Sequence, residues 1–264
     1  TLLMNIRLKP CRFCGEVTAI SSKSDAHRLL IASALSDRPT FIRCNARSAD
    51  ITATVNCLNS LGADIKFVDG GISVKPIKEK RKSAVLDCNE SGSTIRFLLP
   101  VAASLGTNTE FTGGGRLPER PLSPLREQME APGVVFSPIN VFPVKINGEM
   151  TSGEFTIKGN ISSQFITGLL FALPLLNGNS IINVIPPVES RPYIDMTLNT
   201  LKKFGITVTE KSNSFFIPGG QKYASPGTVE SEGDWSNSAF FLTAGAVSGR
   251  VTVTGLDVSS VQGD

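Results

Sequence analysis

Four short serine-rich segments of the chain each run into a strongly apolar stretch. The first, SSKSDAHR, brings Lys23, Ser24 and Arg28 close together where a helix is expected to begin. A helix N-terminus presents free backbone N–H groups and the positive end of its dipole, so this combination is typical of a site for phosphate or carboxylate. On this segment alone a simpler interpretation stays open: Ser24 or Asp25 caps the helix and Lys23 is solvated.

Two further segments, SGS at 91–93 and SSQ at 162–164, stand in the same position before an apolar stretch. Three helix N-termini of this kind could meet around one ligand. We therefore predict that residues far apart in the sequence form one anion-binding site.

Arginines on a glycine-rich segment add to this expectation. GGGRLPERPLSPL (113–125) places Arg116 and Arg120 before a second type of helix, and ESRPYIDM (189–196) stands in the equivalent position further on. A guanidinium group matches phosphate or carboxylate in a bidentate manner. The alternative is a flexible turn with surface arginines.

Other kinds of site find little support. The sequence has no GxxxxGK[ST], no GxGxxG after a strand and no HExxH. The single histidine, His27, is expected to pack or cap, and Cys11 and Cys14 form a lone C-x-x-C for which chance or strand packing is favoured over metal or redox chemistry. A serine hydrolase is disfavoured, because the serines stand at helix starts beside cations. We expect neither a metal nor a cofactor.

Composition predicts a globular protein. The chain has 264 residues, 41% of them apolar, and a net charge of +3, which is too small to indicate nucleic acid. Apolar runs such as LLFALPLL (169–176) are too short to span a bilayer, and the start lacks a signal-peptide pattern. The five cysteines are expected to be reduced. These observations favour a cytoplasmic location without a membrane partner.

An internal repeat of about 70 residues organises the chain. It is marked by equivalent leucines in the apolar stretches (Leu30, Leu98, Leu169, Leu242) and by glycines that end a second, amphipathic helix (Gly62, Gly133, Gly205). The apolar positions of the amphipathic helices include Leu122, Leu125 and Met129 in the middle unit.

The sequence pattern of each unit predicts a strand, a buried helix, a second strand, an amphipathic helix and a hairpin, in that order. The stretches 29–35, 97–104 and 169–176 are apolar nearly all round, so we expect an α/β fold with parallel buried helices inside and sheets outside. A fourth unit begins near Asp234 and cannot bury its apolar face unaided, so we expect the whole protein to be longer than 264 residues.

The segments, in their order along the whole chain, resemble the 5-enolpyruvylshikimate-3-phosphate synthase family. The resemblance is carried by SSKSDAHR, SGSTIR, GGGRLPERP, SSQF, SRPYIDMTL, GDWSNSAFFL and the final SSVQGD. The chain departs from the family pattern at Glu90 and Ser91, where Asn-Ala is usual, at Phe97, where proline is usual, and at 131–132.

The resemblance implies a transferase of the shikimate pathway of aromatic amino acid biosynthesis. It would move the enolpyruvyl group of phosphoenolpyruvate to the 5-hydroxyl of shikimate 3-phosphate. Shikimate 3-phosphate would be held by Ser24, Arg28, Ser162, Ser163, Gln164, Ser190 and Tyr193. The residues that would contact phosphoenolpyruvate are Lys23, Gly92, Arg120 and Gln164. Lys23 is also the predicted catalytic residue. The family's acid and base carboxylates map beyond Asp264, so we expect chain 1–264 to bind substrate and to be inactive alone.

The resemblance also implies a monomer with two lobes, each an inside-out α/β barrel of three repeats. Residues 19–234 would form one complete lobe, while 1–18 and 235–264 would belong to a second, with hinges near Ile20 and Gly233. Two alternatives stay open: a UDP-N-acetylglucosamine enolpyruvyl transferase, although its early Lys-Asn pair is absent, and a module that binds an anionic metabolite without catalysis.

Overall fold

The computed structural model describes residues 9, 11–137 and 142–263. Residues 1–8 and 10 of the predicted segment 1–18 therefore lie outside the described residues, as does Asp264 at the end of the last motif. The helices are α1 (Lys23–Ala34), α2 (Ala49–Ser60), α3 (Gly92–Ser104), α4 (Leu125–Glu130), α5 (Ser163–Ala172), α6 (Arg191–Lys203) and α7 (Trp235–Ser248). The strands are β1 (Cys14–Thr18), β2 (Thr40–Arg43), β3 (Asp64–Val68), β4 (Gly71–Lys75), β5 (Ser83–Asp87), β6 (Asn108–Thr112), β7 (Val135–Ser137), β8 (Val144–Asn147), β9 (Glu154–Lys158), β10 (Ser180–Ile185), β11 (Thr209–Lys211), β12 (Ser214–Ile217), β13 (Thr228–Glu230) and β14 (Arg250–Thr254).

Three four-stranded sheets share one topology, which confirms the repeat. Their orders are β13-β2-β4-β3, β5-β6-β8-β7 and β9-β10-β12-β11. In each, the first two strands are parallel and the remaining pairs are antiparallel. A buried helix connects the parallel pair in the second and third units, as a crossover connection requires. The first unit differs, because its leading strand is β13, which comes from the far end of the third unit.

The first helices of the units lie inside, as predicted. Nearly every residue of α1, α3 and α5 is buried. Phe97 of α3 joins them, since its ring centroid lies 6.4 Å from that of His27 on α1 and 6.4 Å from that of Phe171 on α5. The strands alternate buried and exposed residues, so each sheet turns one face to solvent. The parallel course of the three helices stays a prediction.

Two helices are shorter than the sequence pattern predicts. The helix expected through residue 176 ends at Ala172 and continues as a 3₁₀ turn, Leu173–Leu175, because Pro174 has no N–H for an α-helical hydrogen bond. In the middle unit Leu122 lies ahead of α4, since the residue before Pro124 is disfavoured in helical conformation.

The second helices end as predicted. Gly62, Gly133 and Gly205 follow α2, α4 and α6 with φ of +115°, +110° and +74°. Only glycine adopts these values without steric cost, so each marks the point at which a helix stops and the chain reverses.

The last described segment packs differently from the three units. Strand β14 pairs in parallel with β1, and α7 packs beside it. Of the described residues of α7 only Ser238 is buried, and the Phe240 and Val247 side chains are 78% and 80% exposed. The chain enters and leaves the three-repeat body side by side, where Ser21 and Gly233 form an antiparallel bridge. Among the described residues, none of the helices has the length and apolar character that crossing a membrane requires.

Candidate functional site

A cavity of about 330 Å³ opens where α1, α3, α5 and α6 begin, and we call it the serine–arginine pocket. It is lined by Ser24, Arg28, Ser93, Arg96, Phe97, Ile161, Ser162, Ser163, Gln164, Ser190 and Tyr193. Seven of the ten predicted site residues are in this lining, drawn from separate units of the repeat: Ser24, Arg28, Ser162, Ser163, Gln164, Ser190 and Tyr193. The other three, Lys23, Gly92 and Arg120, are outside it.

Three serines cap the helices that surround the pocket. Ser22 accepts a hydrogen bond from the Asp25 amide at 3.3 Å, and Ser91 and Ser162 do the same for α3 and α5. The cap of α1 is therefore Ser22, and the alternative in which Ser24 caps the helix is wrong. Ser24 lies in the first turn and lines the pocket, where the N–H groups of α1 favour an anion.

Arg28 is buried, and three hydrogen bonds hold its guanidinium group in a fixed orientation. It donates from Nε to Thr197 Oγ1 at 2.9 Å, from Nη1 to the Ser24 carbonyl at 2.6 Å and from Nη2 to the Tyr193 carbonyl at 2.8 Å. Its Cζ lies 5.4 Å from the Phe97 ring centroid. Burial lowers the pKa of Arg28 to about 10, so the group remains a cation at neutral pH. These three hydrogen bonds use three of the five N–H groups of Arg28. The other two are available for a ligand, and their directions are fixed because the guanidinium group is planar.

Arg96 is a pocket residue that the sequence reasoning missed. It donates from Nη1 to Oε1 of Gln164 at 2.7 Å and from Nη2 to the Pro121 carbonyl at 3.1 Å. Burial and then the charge of Arg120 lower the pKa of Arg96. Two guanidinium groups that approach each other repel, and an anion between them would relieve the repulsion. The available signal was spacing, because Arg96 stands four residues after Gly92 on the same helix face.

Gly92 and Arg120 meet beside the pocket, as their shared predicted role requires. A Cβ atom built on Gly92 would lie 2.6 Å from Nη1 of Arg120. The glycine therefore leaves room for the guanidinium at the start of α3. Arg120 itself is exposed and lies on the loop whose Pro121 carbonyl is bound by Arg96.

Lys23 points elsewhere. Its Nζ forms an ion pair with Asp50 of α2 at 3.0 Å, and its side chain is half exposed. Lys23 does not contribute to the described lining of the pocket, although its neighbour Ser24 does. The catalytic role of Lys23 stays a prediction. For this role the lysine must either break its ion pair with Asp50 or act from outside the described lining of the pocket.

Ser190 has an unusual backbone for its position. It precedes α6 with φ +56° and ψ +36°, and its side chain does not cap the helix. Its hydroxyl is therefore not committed to the backbone of α6, and Ser190 lines the pocket together with Tyr193. No group of three or more His, Cys, Asp or Glu side chains in the described part of the chain is arranged to hold a metal ion.

Comparison with known proteins identifies a family that matches this chain. The family model described as EPSP synthase (3-phosphoshikimate 1-carboxyvinyltransferase) matches residues 9–264. The 3-phosphoshikimate 1-carboxyvinyltransferase of Brachyspira hyodysenteriae is 40% identical over 264 residues, covering 99% of this chain and 62% of that protein. The protein of the same name from Clostridium acetobutylicum is 40% identical over 267 residues, with 98% and 62% covered. This chain thus spans less than two thirds of their length.

Solved structures show the same fold. Two structures of EPSP synthase from Acinetobacter baumannii superpose with TM-scores of 0.79 and 0.78 at 21% sequence identity. They cover 94% and 93% of this chain, and this chain covers 57% of each of theirs.

Proposed function

Because the chain belongs to the EPSP synthase family, we propose that the protein transfers the enolpyruvyl group of phosphoenolpyruvate to the 5-hydroxyl of shikimate 3-phosphate and releases phosphate. This reaction would place it in aromatic amino acid biosynthesis. Both substrates carry a phosphate and a carboxylate, so a site for them needs fixed cations and hydrogen-bond donors. The serine–arginine pocket offers both.

One observation carries the proposal. Residues predicted from three distant segments to hold shikimate 3-phosphate surround a single cavity at the starts of four helices. We assign its carboxylate to the buried Arg28, whose free N–H groups are held in a planar fork. Ser24, Ser162 and Ser163 are assigned to its phosphate, which the helix N-termini attract.

The enolpyruvyl donor is assigned to the side of the pocket at which α3 begins. Gly92 and Arg120 meet there. Gln164, which contacts Arg96 and Ser93, is assigned to both substrates and so lies between the part of the pocket for shikimate 3-phosphate and the part for phosphoenolpyruvate. In the reaction the terminal alkene carbon of phosphoenolpyruvate gains a proton and becomes a methyl group, while the substrate hydroxyl adds to the adjacent carbon and gives up its proton. The tetrahedral intermediate then loses phosphate together with a proton of that methyl group, which restores the double bond. The described lining contributes cations and hydroxyl groups to these steps and contains no carboxylate. A cytoplasmic monomer remains a prediction.

Calorimetric titration of chain 1–264 with shikimate 3-phosphate tests the proposal. Arg28→Ala is expected to weaken binding by about 1.5–3 kcal/mol, the range for hydrogen bonds to charged groups. The matched control is Arg38→Ala, which also loses hydrogen bonds to a backbone carbonyl, that of Ser225, but at the opposite end of α1. Undiminished binding by the Arg28 variant, or preferential binding of UDP-N-acetylglucosamine, would contradict the assignment.

A further inference from the structure

Behind the serine–arginine pocket, four buried polar side chains form one hydrogen-bonded chain. His27 Nδ1 lies 2.8 Å from Thr54 Oγ1, which lies 2.7 Å from Thr94 Oγ1, which in turn donates to Ser91 Oγ at 2.7 Å. The four side chains belong to residues that are at most 1% exposed. The chain joins α1, α2 and the cap of α3 through groups that the proposed reaction does not use.

The direction of the chain follows from the number of hydrogens. Thr94 gives its one hydroxyl hydrogen to Ser91, so it must accept from Thr54. Thr54 has then given its hydrogen away, so it must accept from His27. Nδ1 of His27 therefore carries the proton and Nε2 is a lone pair.

Two observations agree with this tautomer. Nε2 of His27 is buried and has no hydrogen-bond partner among the described residues, and an unpaired acceptor costs less than an unpaired N–H. Burial also lowers the pKa of His27 to about 3, with a raising contribution from Asp50 and lowering ones from Lys23 and Arg28. The ring is neutral at physiological pH, as a single donated proton at Nδ1 requires.

The chain ends at the part of the site assigned to phosphoenolpyruvate. Ser91 caps α3, and its neighbour Gly92 touches Arg120. The following residue, Ser93, accepts a hydrogen bond from Gln164 Nε2 at 2.9 Å. A shift of the cap of α3 would displace both contacts together.

We propose that His27 is a positioning residue for the phosphoenolpyruvate half of the site, acting through Thr54, Thr94 and Ser91 on the start of α3. The inference rests on the proposed function. His27 touches no substrate in this role. Its proton sets the direction of the chain, and the chain fixes the N-terminus of α3 against Arg120 and Gln164.

The test compares two replacements of His27 in the protein at its natural length. His27→Leu removes the donor and keeps an apolar side chain of similar size, whereas His27→Asn places an amide N–H near the position of Nδ1. With phosphate release as the assay, we expect His27→Leu to raise the KM for phosphoenolpyruvate about tenfold, the effect of one lost hydrogen bond. The KM for shikimate 3-phosphate should stay within about twofold, because Gln164 keeps the hydrogen bond from its charged partner Arg96. His27→Asn is expected to restore the wild-type value.

Ser104→Ala is the matched control, because it removes a buried hydroxyl from the opposite end of α3. If His27→Leu fails to fold, Thr54→Val interrupts the same chain and is expected to give the same split between the two KM values. Equal changes in both KM values, or no rescue by asparagine, would show a merely structural role and overturn the inference. A wild-type protein without turnover would instead contradict the proposed function itself, and the inference with it.

A spectroscopic arm tests the tautomer directly. In protein labelled with ¹⁵N-histidine, the His27 signal is assigned by its loss in His27→Asn. We expect the Nδ1–H tautomer with shifts unchanged between pH 8 and about 5, because the group stays neutral over that range. An Nε2–H tautomer, or a titration in this range, would overturn the inference.

Discussion

Arg96 donates a hydrogen bond from Nη1 to Oε1 of Gln164 over 2.7 Å, and the same amide donates from Nε2 to Ser93. These two contacts fix which way the amide of Gln164 faces. They are possible because α3 and α5 approach closely at Gly168, where a Cβ atom would lie 3.1 Å from the Pro100 side chain and closer still to the Arg96 carbonyl. The orientation of Gln164 is thus set by the packing of two buried helices.

Replacement of Arg96 by methionine should weaken the binding of shikimate 3-phosphate by about tenfold or more, because Gln164 loses a charged partner and the pocket loses a cation. Arg96→Lys keeps the charge but cannot hold Gln164 and the Pro121 carbonyl with the same planar geometry, so an intermediate loss is expected. Calorimetry measures both, with the thermal midpoint as a check on folding. Equal affinity of wild type and methionine variant would remove Arg96 from the site.

Gly92→Ala should weaken phosphoenolpyruvate binding without loss of stability. The new methyl group would meet the Arg120 guanidinium, which is the mobile end of an exposed side chain and can move away. Alanine also favours a helix over glycine by about 1 kcal/mol. The KM for phosphoenolpyruvate at natural length is the measurement. In an Arg120→Ala background the effect should disappear, and its persistence there would mean that Arg120 is not the cause.

The sequence predicted the repeat well because its marks are local. A glycine needed at positive φ and an apolar stretch around a buried helix depend on neighbouring residues alone, as at Gly62 and Gly205. The convergence of Ser24, Ser93 and Ser162 was predictable for the same reason, since each stands at the start of the first helix in a repeated unit. Ser190 was assigned to the site through the family resemblance.

What the sequence could not predict depends on contacts between distant elements. The hydrogen bond from Arg96 to Gln164 joins two helices 68 residues apart in the sequence, and it depends on the close approach of these helices at Gly168. The pairing of Lys23 with Asp50 is a choice between exposed partners that spacing cannot make. The addition of β13 to the first sheet joins residues about 190 positions apart.

Acid should destabilise the fold through His27. Its pKa is about 3 when folded and 6.5 in an unfolded chain, so the unfolded state binds more protons between these values and stability falls as pH falls. We expect His27 to contribute a loss of about 1.4 kcal/mol in unfolding free energy for each pH unit between 6.5 and about 3. The raised pKa of buried Asp25 acts in the opposite direction, because the folded state takes up that proton first.

The comparison of wild type with His27→Asn separates the two contributions. Urea unfolding at pH 7, 6, 5 and 4 gives the free energy of each protein, and the difference between them should shrink as the pH falls. A difference that stays constant across this range would mean that His27 is accessible to protons in the folded protein.

The thiols should divide into two classes. Cys11 and Cys14 are exposed, whereas Cys44, Cys57 and Cys88 are buried. Burial raises the pKa of Cys44, while a hydrogen bond with Cys57 and burial raise that of Cys88, so the reactive thiolate is suppressed. An aromatic disulfide reagent should therefore modify two thiols quickly in the native chain and all five in denaturant. Fast reaction of a third would show that a buried thiol is open to solvent.

Chain 1–264 should bind shikimate 3-phosphate but form no product from it and phosphoenolpyruvate. The described lining of the pocket supplies arginines, hydroxyl groups and an amide, which neutralise and orient anions. It contains no carboxylate, and His27 is buried behind Phe97 with a pKa of about 3, so it is a poor proton carrier at neutral pH.

General acid and base groups contribute about 10² to 10⁴ in rate, so phosphate release should be slower by at least that factor than for the Brachyspira hyodysenteriae relative, which is the positive control. The assay is phosphate release from both substrates by purified chain 1–264, with Arg28→Ala reporting any contaminating activity. Release at the rate of the relative would mean that carboxylates of this chain move the protons. Asp234 and Glu119 would then be the first to replace. The Asp234 Oδ2 atom accepts a hydrogen bond from the Lys23 amide at 3.4 Å, and Glu119 directly precedes Arg120, so each carboxylate stands beside a residue assigned to phosphoenolpyruvate.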